Sequence, residues 1–97
     1  MLTTKHMKNL GFRTGLKGTM YLRAVVEHIL DQPKNPRPKL ITEVYPAVAE
    51  EFGVTAAAID KGIRHAIAHC NDRSMKGTPA DVIWELVERY LDGEFDE

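Results

Sequence analysis

Three charged side chains near the middle of the chain have the types and the spacing that suit contact with nucleic acid. Lys61 and Arg64 can donate hydrogen bonds to phosphates or base edges, and Asp60 can accept one from the amino group of cytosine. Isoleucines recur every four residues on the other side of this stretch, so the charged residues fall on the outward side of a helix. Alanines beside them suit close approach to a DNA groove, although a solvated helix surface would tolerate the same residues.

Two helices joined by a tight turn, spanning about 41–71, must position these side chains. Gly53 stands at the turn, because glycine takes a positive φ at no steric cost. Thr55 follows as the N-cap of the second helix. Pro46 lies inside the first helix, so either that helix begins near Tyr45 or its first turn is bent.

Apolar residues recur at one-turn spacing on both helices, which are expected over about 41–52 and 56–71. They are Val48, Ala49 and Phe52 on the first helix and Ile59, Ile63, Ala66, Ile67 and Cys70 on the second. The small residues Ala49 and Gly62 should let these two helices cross closely. The pattern is typical of the helix-turn-helix, whose second helix lies in the major groove of DNA.

The rest of the chain also reads as helices and loops, with no candidate for a strand. Helices are expected over 2–10, 19–31 and 79–92, and the last of them opens with Thr78 as N-cap followed by proline. Three prolines close together make 33–39 a loop. The predicted fold class is therefore all-α, with four or five helices around a central helix-turn-helix.

The composition describes one ordinary soluble domain, 1–97, with 43% hydrophobic and 28% charged residues. No apolar run approaches the roughly 20 residues that a membrane span needs, and the single cysteine, Cys70, gives no sign of an oxidising compartment. We therefore expect a cytoplasmic protein. Residues 1–39 carry a formal charge of +6 and residues 40–97 one of −7. This asymmetry favours an anionic partner on the N-terminal side. The alternative interpretation is that the acids only occupy the solvent-facing sides of the later helices.

Lys17 precedes the helix expected over 19–31 and marks a second candidate contact with an anion. The backbone N–H groups of Gly18, Thr19 and Met20 could bind a phosphate there, helped by the helix dipole. The simpler interpretation is an ordinary glycine turn beside a solvated lysine. The loop expected over 33–39 has three more cations, which we interpret as solvated: Lys34, Arg37 and Lys39.

His65, His69 and Cys70 suggest a metal site, since histidines four residues apart share a helix face. A structural zinc site needs about four ligands, however, and no second His/Cys pair has the spacing to complete one. The chain also lacks a Gly-rich phosphate loop after a strand and a recognisable Ser/His/Asp set. We therefore expect no metal, no cofactor and no enzymatic activity.

Three motifs give the chain a family resemblance. The segments KG-x-x-YLR at 17–23, IT-x-V-YP at 41–46 and IRHAI at 63–67 resemble the DNA-binding effector domain of the master sporulation response regulator of endospore-forming bacteria. The resemblance covers about residues 10–68, and the helix at 79–92 is divergent. It implies a winged-helix-like effector domain without a true wing, which binds short DNA boxes and contacts RNA polymerase.

The resemblance also implies which residues of the second helix meet DNA. Carried over position by position, the family's contacts fall on Ala58, Asp60, Lys61, Arg64 and His65. The family has arginine where Ala58 stands, and its Glu-Arg pair is replaced here by Asp60-Lys61. Lysine lacks the fork with which arginine binds guanine through two hydrogen bonds.

Together these observations predict a sequence-specific DNA-binding regulator of transcription, whose helix at 55–70 enters the major groove. Base contacts are expected from Lys61, Arg64 and Asp60, and phosphate contacts from Lys17, Arg23 and His65. One helix buries little surface, so useful affinity requires a homodimer or tandem DNA boxes.

Two features of the sequence leave an alternative open. Ala58 replaces a family arginine, and residues 40–97 carry an excess of acids. Both favour a protein–protein adaptor or antagonist that keeps the fold but has lost operator binding. The apolar residues Trp84 and Phe95 are the candidates for an exposed contact with a partner or a second copy.

Overall fold

Five α-helices and one π-helical turn make up the computed structural model, which describes residues 2–31, 38–72 and 74–95. In chain order they are α1 (Thr4–Asn9), α2 (Lys17–Leu30), the π-helical turn (Leu40–Val44), α3 (Tyr45–Phe52), α4 (Ala56–Ala68) and α5 (Pro79–Leu91). Within those ranges the chain has no strand, which confirms the predicted all-α class. None of the described helices is long and apolar enough to span a bilayer.

The helix-turn-helix forms where the local signals place it. Gly53 ends α3 with a φ of 67°, in the left-handed region that glycine occupies without strain. Thr55 Oγ1 then accepts a hydrogen bond from the backbone N–H of Ala58 at 3.0 Å, which caps α4. Thr78 and Asp81 cap α5 reciprocally, through N–H···O bonds of 3.0 and 3.2 Å. Local chemistry therefore determines these helix starts.

Pro46 lies in the first turn of α3, which begins at Tyr45. Proline has no N–H to donate and cannot continue a preceding α-helix, so α3 begins at Tyr45 and the turn before it is widened. The N–H of Val44 reaches back five residues to the carbonyl of Lys39, at 3.1 Å. The loop expected over 33–39 lies largely outside the described residues, and so do its cations Lys34 and Arg37.

The core is built around α2, which packs against all four other α-helices. Every helix contributes fully buried side chains to this core, and so does Leu2 ahead of α1; those on α2 are Leu22, Val25 and Val26. The closest crossing is between α2 and α4, where Gly18 lies against the backbone of Gly62. Gly62 was expected, with Ala49, to let α3 and α4 cross closely, but the atoms nearest to a Cβ on Gly62 belong to Tyr21 and Gly18 of α2.

The exposed apolar side chains are not those expected from the sequence. Trp84 and Phe95 are half-buried against the core, and the Phe95 ring lies 5.2 Å from that of His6. Leu91, the last residue of α5, is 71% exposed. Of the large apolar residues in the described ranges, those that face solvent are Met20, Ile41 and Leu91.

Candidate nucleic-acid interface

Helix α4 has one buried side and one exposed side. Ile59, Ile63 and Ala66 are fully buried, against α2, α3 and α5. The opposite side exposes Lys61, Arg64, His65 and the alanines at 57 and 68, with Ala58 and Asp60 half-buried at its margin. The spacing of the isoleucines therefore predicted the outward direction of this face correctly.

Asp60 and Arg64 are bound to each other on this face. Arg64 Nε donates to Asp60 Oδ2 at 2.8 Å, between side chains that are 60% exposed for Arg64 and 36% exposed for Asp60. The hydrogen bond that Arg64 donates to Asp60, together with the negative charge of that carboxylate, raises the pKa of the Arg64 guanidinium. An acid one turn before a basic residue is the favourable order on a helix, so the spacing was a readable signal that the sequence analysis did not use.

A groove of about 460 Å³ adjoins this pair, between the π-helical turn, α4 and the start of α5. Ile41 stands 76% exposed on its rim, and Trp84 contributes to its wall. Because Asp60 and Arg64 also line this groove, the charged face of α4 continues into an apolar concavity.

Tyr45 lies in the wall of the same groove and was missed by sequence reasoning. It is the first residue of α3 and only 4% exposed. Burial raises the pKa of Tyr45 to about 12, and the nearby Asp60 carboxylate adds to the increase while Arg64 opposes it. The sequence showed Tyr45 only as part of a motif, because the helix face that it occupies depends on how α3 packs on α4.

Lys17 lies beside α4 because the next residue, Gly18 of α2, packs directly on Gly62 of α4. Lys17 is exposed and comes directly before Gly18, which touches Gly62, the neighbour of Lys61. The expected cradle of backbone amides is wrong, since α2 begins two residues earlier than predicted. The N–H of Thr19 is bound to the carbonyl of Leu16 at 3.1 Å, and Gly18 is buried. Only the Lys17 side chain remains as a candidate for phosphate contact at this position.

Arg23 is half-buried and engaged elsewhere on α2. Its Nη1 donates to the carbonyl of Leu2 at 3.5 Å and lies 3.7 Å from Glu27 Oε1. Its described contacts are thus with the N-terminal segment and its own helix, six residues beyond Lys17.

The histidines and the cysteine at the end of α4 make local contacts. The rings of His65 and His69 lie edge to face, with centroids 4.4 Å apart. Cys70 Sγ donates to the carbonyl of Leu10 at 3.5 Å, and burial raises the pKa of this thiol. In the part of the chain that the structure describes, no three His, Cys, Asp or Glu side chains are grouped so as to hold a metal ion.

Comparison with known families gives a match over most of the chain. The family model described as "Sporulation initiation factor Spo0A C terminal" matches residues 3–90. This range takes in α1 and all of α5 except its last residue. It is longer than the stretch of about 10–68 that carries the sequence motifs, so α5, although divergent, lies within the family match up to Tyr90.

Proposed function

The chain belongs to the Spo0A C-terminal family, the DNA-binding domain of a sporulation transcription factor, and we propose that it binds a specific operator through α4. The family is regulatory and not enzymatic. In this proposal α4 lies in the major groove and the chain acts on the chromosome, in the cytoplasm.

One observation carries the proposal: α4 presents cations and small residues on one side while its other side is anchored in the core. Lys61 and Arg64 are exposed, and Ala57 and Ala68 beside them allow close approach. With 13 residues, α4 is about 20 Å long, which suits a major groove about 12 Å wide. The isoleucines of its inner side hold the helix rigidly on α2 and α3.

The roles follow from donor chemistry. Arg64 and Lys61 would donate to base edges, and Ala58 would offer a methyl group to a thymine methyl where the family has arginine. Lys17 and His65 would donate to phosphates on either side of the groove. Asp60 was expected to contact a base, but its Oδ2 is engaged by Arg64, and in this proposal it meets Arg64 and not the DNA. Arg23 is the least favoured contact, because it is already bound to Leu2 and Glu27.

Binding by a single α4 contacts few base pairs, so the proposal includes two copies on tandem boxes or as a homodimer. The family resemblance further implies contact with RNA polymerase. Either partner would find exposed apolar side chains at Met20, Ile41 and Leu91.

The second candidate is a protein–protein adaptor that keeps this fold. It is favoured by the formal charge of −7 over residues 40–97, which opposes approach to phosphates, and by Ala58. The two proposals differ in their response to salt, because a protein that neutralises phosphates releases counterions when it binds.

Fluorescence anisotropy of a labelled duplex, titrated with the chain from about 50 mM to about 200 mM salt, separates the two. In a plot of log affinity against log salt, each neutralised phosphate contributes about −0.9 to the slope, so the proposed phosphate contact from Lys17 predicts a slope of about −1 or steeper. Absence of binding at the lowest salt by a folded chain would contradict operator binding and favour the adaptor.

A further inference from the structure

The contact between Asp60 and Arg64 fixes one edge of the guanidinium group. Arginine has five N–H donors in one plane, and the Nε–H of Arg64 is used by Asp60 Oδ2 at 2.8 Å. The two terminal amino groups lie at the far end of that plane. They form the fork that matches the O6 and N7 acceptors of guanine.

We propose that Asp60 is a positioning residue, which holds Arg64 so that its terminal amino groups read a guanine. This inference rests on the proposed function. It adds that the base contacted by Arg64 is guanine and that Asp60 holds Arg64 in place for that contact. Asp60 acts through Arg64 in this account and contributes specificity, whereas Arg64 and Lys61 contribute the contact itself.

Two further features of the site support this role. Arg64 is 60% exposed, so without Asp60 its long side chain would sample many rotamers, and ordering it on DNA would cost more entropy. Asp60 has a shorter side chain, is only 36% exposed and lines the groove with the buried Tyr45, so it has fewer conformations open to it than Arg64 has. The shorter acid therefore orders the longer arginine.

The charge of Asp60 gives the proposal a distinctive consequence. A carboxylate near the phosphates of DNA is repelled by them, so removing it should leave non-specific binding unchanged or tighter. The same change should weaken discrimination between bases, because Arg64 loses its support. A loss of fold would weaken both kinds of binding together, so the two readouts separate positioning from structural damage.

The experiment first finds the preferred site of the wild-type chain by selection from random duplexes, and then finds the base pair whose preference is lost in Arg64→Ala. Competition anisotropy then measures, for each variant, the affinity ratio between that site and the same site with the base pair changed. It also measures affinity for an unrelated duplex. Circular dichroism checks that each variant is folded.

At the base pair that Arg64 reads, we expect the affinity ratio in favour of guanine to be about 10-fold smaller for Asp60→Ala than for the wild-type chain. A change of this size is within the range for one bidentate contact. Its affinity for the unrelated duplex should be equal or higher. Asp60→Glu should restore the preference, since a glutamate one turn before arginine can form the same pair. The matched control is Glu85→Ala, which removes the corresponding partner of Arg89 on α5 (3.1 Å) and should leave the preference unchanged.

Three results would overturn the inference. Asp60→Ala could keep the preference at the base pair of Arg64 and lose it at another, which would make Asp60 a base reader. It could weaken binding to both duplexes equally, which would make its role structural. Arg64→Ala could lose no base preference although the wild-type chain has one, which would leave operator binding intact but remove the role of Arg64. A folded wild-type chain without any preferred sequence would instead contradict the proposed function itself.

Discussion

The carbonyl oxygen of Gly62 in α4 occupies the space that a Cβ atom on Gly18 in α2 would need. Neither glycine has a positive φ, so both are required here for space and not for backbone conformation. This contact fixes the start of α2, and with it Lys17, beside the middle of α4. The candidate phosphate contact and the candidate base readers thereby lie on adjoining segments of one rigid core.

Replacing Gly18 with alanine should destabilise the fold strongly. The new methyl group would overlap the Gly62 carbonyl, which is backbone and cannot move without shifting α4. We expect a loss of about 3 kcal/mol in the free energy of unfolding, at the upper end for overpacking, even after the gain of up to about 1 kcal/mol in helix propensity. Urea denaturation measures this change. Gly15→Ala is the control, because nothing lies within 4 Å of its added Cβ, and equal stabilities of the two variants would refute the crossing.

Removing the N-cap of α4 should cost about 1 kcal/mol. Thr55→Ala leaves the N–H of Ala58 without its hydroxyl acceptor, whereas Thr55→Ser keeps the oxygen. Thermal unfolding of both variants beside the wild-type chain measures the difference. If the serine variant were as unstable as the alanine variant, the hydroxyl would not be the stabilising group.

Tyr45 should make the fold sensitive to high pH. Its pKa is about 12 in the folded chain against about 10 for an unperturbed tyrosine, so above pH 10 the unfolded chain releases this proton first. Protonation of Tyr45 therefore leaves the free energy of unfolding undiminished below about pH 10. As the pH rises from about 10 to about 12 this free energy decreases, and at about pH 11 it has fallen by about 1 kcal/mol. Denaturation of Tyr45→Phe across this range should lack that part of the pH dependence. Parallel curves for the two chains would show that Tyr45 is not shielded from solvent.

Lys17 should contribute to DNA affinity without contributing to sequence preference. Its replacement by alanine removes one phosphate contact, so the slope of log affinity against log salt should become shallower by about 1. Lys8→Ala removes an equally exposed lysine from α1 and should leave the slope unchanged. Equal slopes for Lys17→Ala and the wild-type chain would remove Lys17 from the interface.

Much of this architecture could be predicted because it is encoded locally. Gly53, Thr55 and Thr78 mark helix ends through their own backbone and hydroxyl chemistry, and the structure confirms each of them. The isoleucines of α4 likewise fix which side of that helix is buried, since their spacing matches the helical repeat.

The rest depended on how the helices pack. Gly62 has no side chain to indicate its neighbour, so the sequence could not tell α2 from α3 as the helix that it meets. Trp84 was expected to be exposed, yet it packs partly buried against the core and lines the groove beside α4. At the candidate site, the ion pair of Asp60 with Arg64 could be predicted from their spacing. The position of Tyr45 beside this pair could not, because it is set by the crossing of α3 and α4.

The central claim is that the exposed face of α4 reads operator DNA, and selection of bound fragments from genomic DNA tests it most directly. The wild-type chain is compared with Lys61→Ala/Arg64→Ala, and with Lys5→Ala/Lys8→Ala, which removes the same charge from exposed positions of α1. We predict one enriched motif for the wild-type chain and for the α1 variant, and none for the α4 variant. A folded wild-type chain without an enriched motif at low salt, or a motif that persists in Lys61→Ala/Arg64→Ala, would contradict the claim.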